Sequence, residues 1–501
     1  MTDRSTIDAW LDEVRDLLTE DGEAPGEADN LIEWGLDSIA LMSVASKWRR
    51  EGTEVSFGEL AAEPTLRQWR ELLAARAPAP AAPAASELAS EDAAEAIAPG
   101  EAFPLAPLQH AYWVGREDCQ QMGGVAAHLY TEFDAPAADA ERLARAVRAV
   151  LRRHPMLRAT VRGDGTQQVL PERAYDPVTV VDLRSASSED VAAELESLRQ
   201  HRSHQLLDIE AGQVFDVGLT LLPQGRGRIH LDVDMVAADA RSYRVLLADL
   251  AHAYARDTDL GDASEYTFAR YLAEHEVATA AAIERDRRWW ADRLDELPGA
   301  PELPVDAKAA DPGRTGRRAR WLRPEVRDQL TERARRHGVT LAMALATAYA
   351  EVIGGWSAQS RFLLNVPLFD REPLHADIGG LVGDFTSSVL LDVDLCEKVG
   401  FSARARRLQA QLHERAEHAA FSGVHLLREL TRARGEQVVA PVVYTSALGL
   451  GELFDAAVLR EFGEPVWIIS QGPQVLLDAQ VTELHGGVLV NWDVRENLLM
   501  P

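Results

Sequence analysis

One serine stands where an attached phosphodiester would be stabilised. Ser38 occupies the first turn of a predicted helix, in the segment WGLDSI at 34–39. Backbone N–H groups at a helix N-terminus have no partner within the helix, and the helix dipole is positive there. A serine at this position can equally act as an N-cap that satisfies one of these N–H groups. The segment therefore predicts either a modification site or an ordinary helix cap.

A second set of polar residues follows a predicted strand, in the segment HLDVDMVAADARS at 230–242. Asp234, Asp239 and Ser242 come after an alternating stretch and precede a predicted helix. A carboxylate beside a lobe interface usually pairs with an arginine and fixes geometry, and Ser242 can cap the helix that follows it. We expect these three residues to have mainly structural roles, and a catalytic role for Asp234 stays open.

The chain of 501 residues divides by composition into three predicted regions. Residues 1–77 have apolar residues at helical spacing and are long enough only for a small helical unit. Residues 78–102 are rich in alanine and proline, which is typical of a semi-extended linker. Residues 103–501 have the composition of a packed domain. A small domain on such a linker can reach several sites.

Helical and strand-like segments alternate through the third region. Predicted helices include 140–153, 242–255 and 339–352, and predicted strands include 226–234, 362–367, 388–393 and 438–444. Alternation of this kind indicates an α/β fold built on large sheets. The length indicates two lobes, with the N-lobe at 103–275 and the C-lobe at 276–501.

Composition and charge exclude several classes of function. The net charge is -28, and an acidic surface repels phosphates, so neither nucleic acid nor an anionic membrane is expected as a general partner. The two cysteines lie far apart, which argues against a disulfide framework and a cysteine-ligated zinc site. The N-terminus has no apolar signal region, and a cytoplasmic location is expected. No spacing predicts a metal site, a P-loop or a Ser/His/Asp triad.

The context of Ser38 resembles that of a carrier protein. The serine follows GLD, lies in a small acidic helical unit, and is joined by a linker to a large domain. The wider stretch at 30–42 is most similar to the aryl carrier domains of nonribosomal peptide synthetases. The resemblance implies a four-helix fold and a 4'-phosphopantetheine arm attached to Ser38.

The region 103–501 resembles the heterocyclization domains of the same synthetases, which belong to the condensation superfamily. Seven segments match that family's motifs in order, beginning at Phe103, Arg153, Leu297, Leu341, Gly383, Pro441 and Ser470. Tyr444 stands where the sixth motif usually has phenylalanine, and Gly472 stands where the seventh usually has threonine. The resemblance implies a two-lobed, chloramphenicol-acetyltransferase-like α/β domain with a tunnel between the lobes, which carrier arms enter from opposite ends.

The most specific of the matching segments contains Asp234, Asp239 and Ser242. Ordinary condensation domains have HHxxxDG here, whereas this chain has the DxxxxDxxS pattern of heterocyclization domains. Met235 stands where the second, catalytically implicated histidine of condensation domains would lie. A thioether neither accepts nor donates a proton, so amide formation is expected to depend on positioning and oxyanion stabilisation.

The resemblance implies a reaction in two stages. A carrier-bound aryl thioester, of the salicyl or dihydroxybenzoyl type, acylates the amine of a carrier-bound cysteine, serine or threonine. The side chain then attacks the new amide and water leaves, giving a thiazoline or oxazoline. The family implicates the threonine of PVVYTS at 441–446 and the aspartate of PQVLLD at 473–478 in the second stage, which are Thr445 and Asp478 here. Asn365 is a further candidate, for orienting substrate.

Partners follow from the same resemblance: an aryl-adenylating enzyme, a phosphopantetheinyl transferase, and downstream peptidyl carrier and adenylation domains. Two alternatives remain open, because the large domain could make the linear amide and stop, or could be a non-catalytic platform that docks loaded carriers. The presence of Thr445 and Asp478 favours heterocyclization, as in siderophore synthesis. The sequence leaves open the aryl acid and the choice among cysteine, serine and threonine.

Overall fold

The computed structural model describes most of the chain beyond residue 100 and part of the chain before it. The described residues are 4–19, 24–32, 34, 36, 41, 44–45, 47–48, 51, 53, 55, 59–60, 63–76, 100–171, 178–256, 259–305, 314–369, 371–496 and 498–499. Ser38, most of the helix predicted to follow it and nearly all of the predicted linker lie outside these ranges. The predicted count of four carrier helices is therefore not addressed by them.

The described part of the N-terminal unit packs around three tryptophans. Helix α1 (Arg4–Leu17) contributes Trp10, and helix α2 (Leu66–Ala75) contributes Trp69. The ring centroid of Trp48 lies 5.7 Å from that of Trp10 and 5.5 Å from that of Trp69. These aromatic contacts give a small unit the apolar core that its length makes difficult to build.

The described part of the large domain contains ten further α-helices. They are α3 (Pro107–Gly115), α4 (Ala140–Arg153), α5 (Ser188–Arg202), α6 (Ala240–Arg256), α7 (Phe268–Ala291), α8 (Pro324–Arg335), α9 (Leu341–Trp356), α10 (Phe401–Ala416), α11 (Gly423–Arg434) and α12 (Ala456–Phe462). Short 3₁₀ segments lie at Pro155–Arg158, Pro223–Gly225, Leu294–Glu296 and Ala376–Gly380. Helix α4 begins where Asp139 accepts the backbone N–H of Arg142 at 3.0 Å, which is an N-cap.

Fourteen strands are described. They are β1 (Ala102–Pro104), β2 (His128–Ala135), β3 (Ala159–Val161), β4 (Thr166–Val169), β5 (Val178–Asp182), β6 (Phe215–Leu221), β7 (Gly227–Asp234), β8 (Thr315–Leu322), β9 (Arg361–Phe369), β10 (Thr386–Asp394), β11 (Val442–Ser446), β12 (Glu464–Gln471), β13 (Leu477–Leu484) and β14 (Gly487–Arg495). Strands β1, β4 and β3 form a small antiparallel sheet, and the other strands form two large sheets.

The first lobe is built on a five-stranded sheet with the order β12-β2-β7-β6-β5. Only β5 and β6 run parallel, and the other pairs are antiparallel. Phe133 of β2 and Leu231 of β7 share a hydrophobic core with Val147 of α4 and Leu247 of α6. Burial of this apolar surface holds the helices on the sheet.

The second lobe is built on a six-stranded sheet with the order β10-β9-β11-β13-β14-β8. Strand β11 runs parallel to both β9 and β13, and the remaining pairs are antiparallel. Leu364, Tyr444 and Val481 of the sheet pack with Ala350 of α9 and Leu408 of α10 on one face. The predicted two-lobed α/β architecture is confirmed.

One strand crosses between the lobes, which the predicted boundaries did not include. Strand β12 follows α12 in the second half of the chain but pairs with β2 at the edge of the first sheet. Phe454 and Phe462 lie in the core of the first lobe as well. The predicted C-lobe at 276–501 is therefore not continuous, because residues 454–471 belong to the first lobe.

Candidate active site

A cavity of about 820 Å³ lies between the two large sheets, where a tunnel is predicted. The first lobe contributes Tyr112 of α3 and Met235, which follows β7. The second lobe contributes Asn365, Thr445 and Asp478. A volume of this size is typical of sites for small molecules and cofactor arms. The two residues predicted to act in the second stage, Thr445 and Asp478, therefore share one cavity with Asn365, the candidate for orienting substrate.

Strand alternation brings polar residues of the second sheet onto the cavity wall. Successive side chains of a strand point to opposite faces, and one set packs under α9 and α10. The other set includes a row of directly paired positions on five adjacent strands: Asn365 (β9), Val443 (β11), Asp478 (β13), Asp493 (β14) and Arg317 (β8). The next row pairs Thr445, Gln480 and Asn491. Sheet register thus assembles residues that are far apart in sequence.

The carboxyl group of Asp478 is held at both oxygens. The Thr445 hydroxyl donates to Oδ1 at 2.9 Å, and Gln480 Nε2 donates to Oδ2 at 2.7 Å. Removal from bulk water raises the pKa of Asp478 to about 6, although the hydrogen bonds from Gln480 and Thr445 oppose the rise. The nearby charge of Asp493 raises this pKa further, and that of Arg317 lowers it. A carboxyl group with such a pKa can accept and return a proton near neutral pH.

Asn365 lies on the same wall as Asp478, two strands away. Its Oδ1 is buried and has no hydrogen-bond partner within the described part of the chain. Buried polar atoms are normally paired, so this acceptor on the cavity wall is available to a donor from a ligand or from water. The geometry is compatible with the predicted role of Asn365 in orienting substrate, which stays a prediction.

Two further charged residues of this wall were not predicted as site residues. Arg317 Nε donates to Asp493 Oδ1 at 2.6 Å, and Arg317 Nη2 donates to the other oxygen of the same carboxylate. The side chains of Arg317 and Asp493 are only 5% and 3% exposed, so the pair is buried. Asp493 follows a tryptophan in the seventh motif, which was an available signal. For Arg317, the only feature of the sequence that could have indicated a site residue was its position in the segment that forms β8.

The predicted motif residue Asp234 is buried and paired with an arginine. Arg116 Nη1 donates to Asp234 Oδ2 at 2.6 Å, and the backbone N–H of Val236 donates to Oδ1 at 3.0 Å. Burial raises the pKa of Asp234, and the Arg116 charge opposes the rise. Among the described residues that line the cavity, Met235 is present and Asp234 is not. These contacts fit a positioning role for Asp234.

Asp239 and Ser242 connect the first lobe to a segment of the second. Arg371 Nη2 donates to Asp239 Oδ1 at 2.8 Å and to Ser242 Oγ at 2.7 Å. The Ser242 hydroxyl in turn donates to the carbonyl oxygen of Gly383 at 2.8 Å. Arg371 and Gly383 both lie between β9 and β10. These contacts agree with the structural role expected for Asp239, which stays a prediction. Ser242 was expected to cap the helix that follows it, but α6 begins at Ala240, and Asp239 Oδ1 accepts the backbone N–H of Ser242 at 2.6 Å, so the cap is Asp239.

Ser38 lies outside the described residues, so its role as an attachment site stays a prediction.

Within the described ranges, no group of three or more His, Cys, Asp or Glu side chains could hold a metal ion. None of the described helices is both long enough and apolar enough to cross a membrane.

Comparison with known proteins places this geometry in a family. The family profile "Phosphopantetheine attachment site" matches residues 11–73, and the profile "Condensation domain" matches residues 101–451. The EpoB cyclization-docking bidomain from Sorangium cellulosum, a solved structure, has a TM-score of 0.73 and 34% identity, covering 82% of this chain and 83% of that one. The chain belongs to the condensation-domain family. Its phosphopantetheine attachment domain indicates a covalently bound 4'-phosphopantetheine.

Curated relatives narrow the assignment within that family. Phenyloxazoline synthase MbtB of Mycolicibacterium paratuberculosis is 52% identical over 496 residues, covering 98% of this chain and 42% of the relative. Pyochelin synthetase PchE of Pseudomonas aeruginosa is 38% identical over 498 residues, covering 98% of this chain and 34% of the relative. The chain thus spans less than half the length of these relatives. It consists of a carrier domain followed by a nonribosomal peptide synthetase heterocyclization domain, which is an enzyme.

Proposed function

We propose that this carrier–heterocyclization pair joins a carrier-bound hydroxyaryl thioester to carrier-bound cysteine, serine or threonine, and then forms a thiazoline or oxazoline. The product would be part of a siderophore-like peptide. The observation that carries the proposal is the hydrogen-bonded pair of Asp478 and Thr445 inside the cavity between the lobes. The names of two relatives, phenyloxazoline synthase and pyochelin synthetase, support the substrate class.

Asp478 carries the protons of the second stage. The thiol or hydroxyl of the new amide adds to the amide carbonyl carbon, and the Asp478 carboxylate takes the proton that it releases. The carboxyl group then gives this proton to the former carbonyl oxygen. The carboxylate then takes the proton of the nitrogen and passes it to the resulting hydroxyl, which leaves as water as the C=N bond forms. One carboxyl group with a pKa of about 6 can perform each transfer in turn.

Thr445 and Asn365 support this chemistry without exchanging protons themselves. The Thr445 hydroxyl donates to Oδ1 of Asp478 and so fixes the orientation of the carboxylate toward the substrate. The unpaired Oδ1 of Asn365 accepts a hydrogen bond from a substrate N–H group and so orients the amide.

The first stage needs less assistance, because an amine attacks a thioester readily. Met235 lies on the cavity wall and offers no imidazole base. Amide formation therefore depends on holding the amine and the thioester together in the cavity. We expect this stage to survive loss of Asp478.

Ser38 would hold the 4'-phosphopantetheine arm, which presents the aryl group as a thioester when bound. The cavity fits such an arm, because both amide atoms of Gln471 and Oδ1 of Asn491 line it without hydrogen-bond partners among the described residues. The arm contains amide groups that can pair with them. These residues would bind and orient the arm.

The partners are proposed on the same basis. A phosphopantetheinyl transferase would attach the arm, and an aryl-adenylating enzyme would select the acid. Downstream peptidyl carrier and adenylation domains would supply the acceptor amino acid.

The decisive experiment loads Ser38 with an aryl-pantetheine arm and adds acceptor carriers bearing cysteine, serine or threonine. Intact mass spectrometry then follows the acceptor. We expect a product one water lighter than the linear amide, and we expect Asp478→Ala to stop at the linear amide. The acceptor that yields the lighter product identifies the amino acid.

Two other outcomes would contradict the proposal. A wild-type chain that yields only the linear amide is a condensation domain. A chain that leaves the aryl group on Ser38 under all conditions is a docking platform without catalysis.

A further inference from the structure

The side chain of Arg317 is buried at the cavity wall, although Arg318, the next residue of β8, faces solvent. Arg317 is 5% exposed, whereas the side chain of Arg318 is 73% exposed and pairs with Glu496 at the surface. This difference follows from strand alternation, which turns Thr315 and Arg317 toward the cavity and Arg318 away from it. Burying an arginine is costly unless its charge and N–H groups are paired. The contacts of Arg317 therefore indicate what it does.

Arg317 contacts two members of the Asp478 network at once. Its Nε and Nη2 hold both oxygens of Asp493, with Nε–Oδ1 at 2.6 Å. Its Nη2 also donates to Gln480 Oε1 at 3.0 Å. Gln480 Nε2 lies 2.7 Å from Asp478 Oδ2 and 3.1 Å from Asp493 Oδ2. Arg317 thus reaches Asp478 through one intervening amide.

This arrangement fixes which way the Gln480 amide points. An arginine has only donors, so the amide oxygen of Gln480 must face Arg317. The amide nitrogen then faces the carboxylates, and Gln480 donates to Asp478. Without the arginine the amide could rotate by half a turn and present its oxygen to Asp478. An oxygen at that position favours the protonated carboxyl group and disfavours the carboxylate.

We infer that Arg317 is a positioning residue for cyclodehydration, which acts through Gln480 and Asp493 to keep Asp478 in the orientation and protonation state needed to take a proton from the attacking thiol or hydroxyl. The inference rests on the function proposed above. It adds a residue outside the seven motif segments and assigns it to one stage of the reaction. Amide formation does not use Asp478 and is unaffected.

A purely structural role makes a different prediction. If Arg317 only neutralised the buried charge of Asp493, its replacement would lower stability and would slow both stages together. A positioning role slows cyclodehydration alone and changes how that stage depends on pH. The two roles are therefore separable by measuring both stages on the same protein.

The test compares Arg317→Lys with Arg318→Lys in the full chain carrying a loaded arm. Lysine keeps the charge beside Asp493 but is a single point donor, so it cannot hold the carboxylate and the Gln480 oxygen in one fork. For Arg317→Lys we expect cyclodehydration to fall at least roughly tenfold, with amide formation within about threefold of wild type. Its rate against pH should also shift by roughly one unit to higher pH. Arg318→Lys should match the wild type in both stages.

A double variant distinguishes a specific loss of cyclodehydration from a folding defect. Arg317→Met with Asp493→Asn removes both buried charges together, so that neither is left unpaired. Amide formation reports folding of the same cavity, and we expect it to persist while cyclodehydration is lost. Equal pH profiles for Arg317→Lys and Arg318→Lys would overturn the inference, as would a parallel loss of both stages. A wild-type chain that forms no heterocycle would instead overturn the proposed function.

Discussion

Thr445 and Asp478 are hydrogen-bonded at 2.9 Å although 33 residues separate them in the chain. They stand on the adjacent parallel strands β11 and β13, whose register pairs Val443 with Asp478 and Thr445 with Gln480. Parallel neighbours need a long connection, which here contains α12 and β12. The pair therefore exists only once the second sheet is assembled.

The hydroxyl of Thr445 can be removed without changing the shape of the side chain much. Thr445→Val should reduce cyclodehydration roughly tenfold to a hundredfold, because a hydrogen bond to a charged group is lost. Amide formation should stay at the wild-type rate. Thr445→Ser keeps the hydroxyl and should recover most of the activity, as measured by single-turnover mass analysis. Equal losses in both variants would assign Thr445 to strand packing.

The raised pKa of Asp478 predicts the pH dependence of the second stage. Because the carboxylate must take a proton from the nucleophile, cyclodehydration should increase as pH rises through about 6, the pKa of this group. Amide formation should lack this transition. Single-turnover rates of both stages measured across this range check the prediction. A cyclodehydration rate that does not change across it would exclude Asp478 as the proton acceptor.

Asp384 predicts a pH-dependent stability. Burial raises the pKa of Asp384 to about 7, and its Oδ2 has no partner in the described ranges. A raised pKa means that the folded state holds this proton more tightly, so the stability it confers is complete below about pH 4 and is lost as pH rises through 7.

The variant Asp384→Asn stays neutral at every pH. Its stability relative to wild type should therefore increase by on the order of 3 kcal/mol between acidic and mildly alkaline pH. Urea unfolding at both ends of this range measures the change. Asp292→Asn, at the exposed C-terminal end of α7, is the matched control and should show no such change. A constant difference for Asp384→Asn would contradict the prediction.

The contact between Asp239 and Arg371 predicts a variant that harms both stages. Asp239→Ala leaves a buried guanidinium without its carboxylate, which should cost about 3–5 kcal/mol of unfolding free energy. The rates of both stages should decline together, because the two lobes are no longer held in their relative position. Asp259→Ala breaks the exposed pair with Arg152 and should leave the unfolding free energy nearly unchanged, because solvent screens the pair. Selective loss of one stage at unchanged stability would point instead to a catalytic role for Asp239.

Local signals predicted several elements to within a few residues. The helix predicted at 140–153 is α4, whose apolar face packs on the first sheet below the Asp139 cap. The helix predicted at 339–352 begins two residues later, because the Thr340 side chain caps it by accepting the backbone N–H of Met343. The strand predicted at 438–444 begins only at Val442, after a proline that has no N–H to donate to a ladder.

The candidate site was predicted in part, and the missing part depends on strand order. Motif resemblance brought together Thr445 and Asp478, and Asn365 was a separate candidate for orienting substrate. The structure places all three in one cavity. Arg317 could not be predicted, because its neighbour Asp493 lies 176 residues away and the order β13-β14-β8 is not encoded in any local pattern. The crossing of β12 was missed for the same reason.

Strand β12 determines how the enclosed space can change shape. It leaves the second lobe, pairs with β2 along its length, and returns to form β13. One flank of the space is therefore a continuous strap of backbone, and rotating the lobes apart there would break a ladder of interstrand hydrogen bonds. The two lobes are therefore not free to separate on this flank of the cavity. We expect the lobes to stay joined there while substrates reach Asp478 and while the finished ring leaves.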